Sequence, residues 1–195
     1  GAAKERVKRL EDEHALAEAE LQLARAAALA ESGAEVDLEA YERPDPEAAR
    51  RDLGLPSTAP VLGFVGWVRD WHRLDLVVEG LASSALKDAH LVVVGGGPAV
   101  PDLVAAAERV GVTERLHLPG PRRHARIPAL LPAFDVALVP AINPYPSPLK
   151  LHEYRAAGLA TVAPDQPNLR EVLAHGEDAL LVPPGDGAAL VEACA

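Results

Sequence analysis

The stretch Val61-Leu62-Gly63-Phe64-Val65-Gly66 is a short apolar run closed by a glycine, with Pro60 before it and the polar tract Arg69-Asp70-Trp71-His72-Arg73 soon after. It does not alternate. A half-buried strand shows apolar and polar residues in turn, whereas a strand covered on both faces reads as one apolar run. The same texture returns at residues 90–94, 116–118, 136–139, 160–163 and 180–182. Between these runs, helical patterns occupy residues 74–86, 101–110, 125–133, 148–157, 169–174 and 186–193, with the three-and-four spacing of helices that bury one face. Strand and helix alternating about six times predict an α/β fold with a doubly wound, mostly parallel, Rossmann-like sheet.

Upstream of this domain the texture differs. Residues 1–52 hold 8 basic and 14 acidic side chains, and residues 3–31 are rich in Ala, Leu, Glu, Lys and Arg, all strong helix formers. Val7, Leu10, His14, Ala17, Leu21, Ala24 and Ala28 follow helical spacing, and Gly33 is a natural stop. The expectation is a long Ala-rich helix over 1–33, a linker or interdomain element, ahead of a folded domain over 34–195.

Composition narrows the function classes. With 195 residues, 49% hydrophobic and 25% charged, the chain has ordinary globular usage. A net charge of −10 argues against nucleic acid as a partner. The one cysteine, Cys194, cannot form an internal disulfide, and no apolar run approaches the roughly 18 residues of a membrane span. A soluble, cytoplasmic protein is expected, and the sequence sets no oligomeric state. The absence of Met, the start Gly1-Ala2-Ala3 and an end in mid-pattern read as a piece of something larger.

Ligands of such sheets bind beyond the carboxyl ends of the strands. At the first exit, Gly66 lets the backbone turn, Trp67 and Trp71 frame the loop, and Arg69, His72 and Arg73 offer positive charge. The second, Val94-Gly95-Gly96-Gly97-Pro98, is glycine-rich but lacks the spacing of a dinucleotide fingerprint, and it reads better as a tight turn. The third, Pro119-Gly120-Pro121-Arg122-Arg123-His124-Ala125-Arg126, is a dense basic cluster that faces either a nucleotide or solvent. The fourth leads into Ser147-Pro148-Leu149-Lys150-Leu151-His152-Glu153. Ser147 suits an N-cap and Pro148 the first helical position. Lys150 and Glu153 share a helix face, either as a plain salt bridge or as partners of a phosphate and of vicinal hydroxyls.

Together these segments resemble the C-terminal, donor-binding domain of a GT-B fold retaining glycosyltransferase, family 4-like, from about Val36 to Ala195. Gly63-Phe64-Val65-Gly66 is similar to the family's first strand, and Val93-Val94-Gly95-Gly96-Gly97-Pro98 to its V-G-x-G-P turn. Ser147-Pro148-Leu149-Lys150-Leu151-His152-Glu153-Tyr154-Arg155-Ala156-Ala157-Gly158 resembles a subgroup reading S-P-L-K-L-F-E-Y-M-A-A-G, and Trp71-His72 its W-H-G. Glu171-Val172-Leu173, Gly176 and Leu180-Leu181-Val182-Pro183-Pro184-Gly185-Asp186 resemble the closing motif.

The resemblance implies transfer of a sugar from a nucleotide-sugar to an acceptor with retention. It implies no cofactor and no metal. An N-terminal acceptor-binding domain, not contained in this chain, is the implied partner, with room for peripheral membrane association of the parent. Lys150 and His72 become the catalytic pair. The implied donor site is Gly66, Trp67, His72, Gly97, Pro121, Arg122, Ser147, Pro148, Leu149, Lys150 and Glu153. By the same resemblance Glu153 holds the ribose, Lys150 the diphosphate, and the loop of Gly120, Pro121 and Arg122 touches the base. Four positions depart from the pattern: Tyr145 where the first of two paired glutamates falls, Trp67 for Arg, Arg73 for Gly and His152 for Phe. The alternative is a non-catalytic nucleotide-binding or scaffold module of the same fold. A nicotinamide dehydrogenase is disfavoured, because no G-x-G-x-x-G opens a helix.

Overall fold

The computed structural model describes residues 38–42, 45–143 and 149–195. The expected helix over 1–33, Tyr145, and the cap residues Ser147 and Pro148 lie outside them. Six strands form, β1 (Val61–Val65), β2 (His90–Val94), β3 (Leu116–His117), β4 (Val136–Leu138), β5 (Ala160–Pro164) and β6 (Ala179–Val182). They make one sheet of order β3-β2-β1-β4-β5-β6, and every pairing is parallel. The chain builds outward from β1 to β3, crosses back, and builds outward again from β4 to β6. Strand order therefore reverses between β1 and β4, which opens a crevice at their carboxyl ends.

The non-alternating runs are explained by burial on both faces. One face packs with α1 (Pro46–Leu53), α4 (Ile127–Leu130), α5 (Leu149–Ala156) and α6 (Pro167–Arg170), through Leu53, Leu130, Phe134, Leu151, Tyr154 and Leu169. The other packs with α2 (Leu74–Gly80), α3 (Val100–Val110) and α7 (Gly187–Cys194), through Val77, Val78, Leu103, Ala107 and Leu190. Fully burying a Val, Leu or Phe side chain among these is worth about 1.5–3 kcal/mol. A carboxylate fixes the start of β1. Asp135 Oδ2 accepts from the Val61 backbone N–H at 2.7 Å and from Arg50 Nη2 at 2.8 Å.

Three expected helices are shorter or broken. The helix expected over 74–86 ends at Gly80, and the turns after it are held by Arg115, whose guanidinium donates to the carbonyls of Leu81, Leu86 and Ala89. The pattern at 125–133 divides into a 3-10 turn His124–Arg126, the short α4 and a 3-10 turn Leu131–Ala133. Pro128 and Pro132 each remove a backbone donor there. The helix expected over 169–174 begins earlier, with Pro167 at its first turn, and closes at Arg170. Among the described residues no helix is long and apolar enough to cross a membrane.

Candidate functional site

The crevice between β1 and β4 gathers side chains from three segments. From α5, Lys150 reaches back to β1, where its Nζ lies 3.9 Å from the centroid of the Phe64 ring. The same atom is 3.1 Å from the place a Cβ on Gly66 would take, so the missing side chain at Gly66 is what admits the amine. Burial lowers the Lys150 pKa from its ordinary value to about 7, partly opposed by the charge of Glu153. An ammonium held this way is short of solvation, a deficit that a neighbouring anion would offset.

His72 stands beside the same ring, edge-on to Phe64 at 5.1 Å. Its Nδ1 accepts a hydrogen bond from the Arg69 backbone N–H at 3.0 Å. Nε2 must then carry the proton, which fixes the tautomer. Burial, followed by the nearby Lys150 charge, lowers the His72 pKa to about 3. This corrects the expectation of a third positive charge on the loop: His72 is a neutral N–H donor. Arg73 also spends its charge locally, on Asp75 at 3.1 Å. Its backbone is left-handed, φ 52°, a conformation that glycine adopts without cost, and this accounts for glycine at the matching place in the resembled motif.

Glu153 lies one helical turn beyond Lys150 and is only 5% exposed. The two do not form the plain salt bridge that their spacing allows. Instead Glu153 Oε1 is 2.8 Å from His124 Nε2. Burial raises the Glu153 pKa, and the neighbouring His124 and Lys150 oppose that rise.

The glycine turn after β2 serves packing. A Cβ on Gly95 would stand 1.9 Å from the carbonyl oxygen of Gly66, and one on Gly97 would stand 2.1 Å from that of Val68. The bare backbone instead lets the two loops lie together, with Val68 N–H donating to the Gly96 carbonyl at 2.7 Å. Gly97 thus shapes the first exit from beneath. Above it, Trp67 is 60% exposed. Its ring and that of Pro121 both come within 4 Å of the Cβ position on Gly96, so Trp67 and Pro121 flank one spot at the mouth of the crevice. Leu149, at the start of α5, is exposed.

The basic cluster disperses. Arg122 Nη1 closes its own loop on the Pro119 carbonyl, Arg126 pairs with Asp52 at 2.8 Å, and His124 alone of the four reaches Glu153. The sequence places His124 only within the basic cluster, with no partner named, and assigns no role to Phe64 or to Tyr154, whose hydroxyl accepts from the Val65 backbone N–H at 3.0 Å. The Phe64 position is legible only as core, and the pairing of His124 with Glu153 joins residues too far apart for any local pattern. Ser147 and Pro148 lie outside the described residues. A separate cleft of about 460 Å³ lies between the first exit, α2 and α3, and holds neither Lys150 nor Glu153. Among the described residues no group of three His, Cys, Asp or Glu is placed to hold a metal.

Residues 59–195 match the family described as glycosyl transferases group 1. The chain is 31% identical over 161 residues to 2-deoxystreptamine N-acetyl-D-glucosaminyltransferase of Streptomyces fradiae, across 80% of this chain and 38% of that enzyme. In fold it is similar to HepE of Anabaena, solved in complex with UDP and glucose, at TM-score 0.72 and 23% identity over 81% of this chain and 44% of HepE. It is also similar to the C-terminal domain of LpcC, a glycosyl transferase group 1 family protein of Francisella tularensis. There the TM-score is 0.66 at 18% identity, over 81% of this chain and 85% of that domain. The chain thus spans less than half the length of the S. fradiae enzyme and of HepE.

Proposed function

The chain belongs to the glycosyl transferases group 1 family, and we propose that it is the donor-binding half of a GT-B glycosyltransferase, moving a sugar from a nucleotide-sugar to an acceptor with retention. The observation that carries this reading is the convergence of Lys150, His72 and Glu153 at the point where strand order reverses. A nucleoside diphosphate presents the matching chemistry, with anionic oxygens for Lys150 and His72 and vicinal hydroxyls for Glu153. The complex of HepE with UDP supports the same ligand class.

Departure of the diphosphate places negative charge on its terminal oxygens. Lys150 supplies a poorly solvated ammonium, and His72 adds a neutral Nε2–H. The backbone N–H groups at the described start of α5, Leu149 and Lys150, add donors on the same side as the Lys150 amine. Donors already in place where charge develops stabilise the transition state without reorganisation. This chemistry needs no metal ion. Glu153 accepts from the ribose, Pro121 and Arg122 border the base, and Trp67 offers an aromatic face where the resembled pattern has a guanidinium. The acceptor and the residues that orient it belong to a separate acceptor-binding domain.

Calorimetry of the 195-residue chain against uridine, guanosine and adenosine diphosphates, with and without a chelator, tests the assignment. Weak binding is expected, with Kd on the order of 0.1–1 mM or about 4–5.5 kcal/mol, no effect of the chelator, and no sugar transfer by the chain alone. Sodium chloride controls for simple charge attraction. Absence of heat for all three at millimolar ligand would remove the donor site. The replacement of a guanidinium by the exposed Trp67 favours one second reading, a binding module that does not catalyse. Donor-dependent transfer by the full-length parent separates the two.

A further inference from the structure

Among the described residues, His124 is the one ionisable side chain outside α5 that reaches the buried carboxylate of the site. Its Nε2 lies 2.8 Å from Glu153 Oε1, while its side chain as a whole is 75% exposed. It stands on the 3-10 turn His124–Arg126, directly after the loop that holds Pro121 and Arg122. The contact therefore crosses from the base-side loop to the helix that carries the ribose and phosphate contacts. Burial raises the Glu153 pKa, and the neighbouring His124 and Lys150 oppose that rise. Lys150 lies on the same helix as Glu153, so His124 is the neighbour that comes from another segment.

We propose that His124 is a positioning residue for nucleotide recognition: it holds the Glu153 carboxyl aimed, and so sets the preference for a ribose with free hydroxyls. The proposal rests on the reading of Glu153 as the ribose acceptor. A carboxyl held in one orientation accepts from two vicinal hydroxyls at once, whereas one free to turn must be ordered by the ligand. Loss of His124 therefore costs affinity for ligands with hydroxyls and spares those without. At 75% exposure its side chain fills no part of the packed core.

The experiment is calorimetry of the 195-residue chain with uridine diphosphate and with 2′,3′-dideoxyuridine diphosphate. The protein variants are wild type, His124→Ala, His124→Gln, and His124→Ala in a Glu153→Gln background. The wild type should prefer the ribonucleotide. His124→Ala should weaken uridine diphosphate about five- to tenfold, in the range of a single ordinary hydrogen bond, and leave the dideoxy ligand within about twofold. His124→Gln keeps an N–H donor and should restore most of the loss. In the Glu153→Gln background His124→Ala should add nothing. Equal weakening of both ligands would overturn the proposal by making His124 a general loop support, and tighter uridine diphosphate binding would overturn it by making His124 a competitor of the ribose. A wild-type chain indifferent to the hydroxyls would overturn the ribose reading itself, and the proposal with it.

Discussion

Tyr154 Oη accepts a hydrogen bond from the backbone N–H of Val65 at 3.0 Å, joining the middle of α5 to the last residue of β1. Tyr154 is fully buried, and burial pushes its phenol above its ordinary pKa, so this contact persists as a neutral bond. Lys150 lies one turn earlier on the same helix, and its target Gly66 comes directly after Val65. The tyrosine therefore sets the distance between the amine and the strand exit.

Tyr154→Phe removes the acceptor and leaves the Val65 N–H without its partner. An unsatisfied buried donor costs about 1–3 kcal/mol, and each kcal/mol lowers Tm by roughly 2–4 °C in a chain of this size. Because the bond locates α5, affinity for a nucleoside diphosphate should fall as well. Thermal melting and calorimetry on one preparation check both. An unchanged Tm would mean that the packed ring alone holds the helix.

The α/β architecture was legible because its cause is local: burial on both faces selects short apolar runs, and each of the six became a strand. Helix boundaries were less so, since Arg115, remote in sequence, decides the path of the chain beyond Gly80. At the site, Lys150 and Glu153 could be paired by spacing, but the partners they take, Phe64 and His124, come from other segments. The sign of the His72 charge was likewise illegible. It depends on burial and on an Arg69 N–H aimed at Nδ1, and neither is written in the residue types.

Gly97→Ala discriminates a packing role from direct donor contact. The added methyl would stand 2.1 Å from the Val68 carbonyl oxygen, on a backbone at φ 152° that disfavours side chains. The loop after β1 must shift, at a cost of roughly 1–3 kcal/mol. Tm should drop even without ligand. Unaltered Tm with lost nucleotide affinity would instead make Gly97 a contact residue.

Lys150→Ala and Glu153→Ala should divide the ligand between them. Loss of the Lys150 charge should weaken a nucleoside diphosphate about ten- to a hundredfold, the worth of a charged hydrogen bond, and leave the nucleoside nearly unchanged. Loss of Glu153 should weaken both, since both carry the ribose. Titrations with uridine and uridine diphosphate read this directly. Equal small effects from the two substitutions, in folded protein, would contradict the division.

The depressed pKa of Lys150 predicts opposite pH trends for binding and stability. Before a diphosphate binds, the amine titrates at about 7, and the bound anion favours its charged form. Above pH 7 binding must therefore take up a proton, and affinity should fall by up to about tenfold per pH unit until the pKa of the complex is reached. The ligand is already ionised there, because the second pKa of a phosphate group is about 6. His72, with its pKa near 3, stays neutral throughout. Folding runs the other way. Between the folded value of about 7 and the ordinary 10.5 the unfolded chain holds more protons at this residue, so its contribution to stability rises with pH across that window. Lys150→Met should flatten that rise and raise Tm by several degrees at pH 7, while weakening the diphosphate. Lys150→Arg, always charged, should keep binding but lose its pH dependence if the crevice admits the larger group. Calorimetry and melting between pH 7 and 9 measure both slopes, and a wild-type affinity that stays level across that range would refute a titrating Lys150 at the diphosphate.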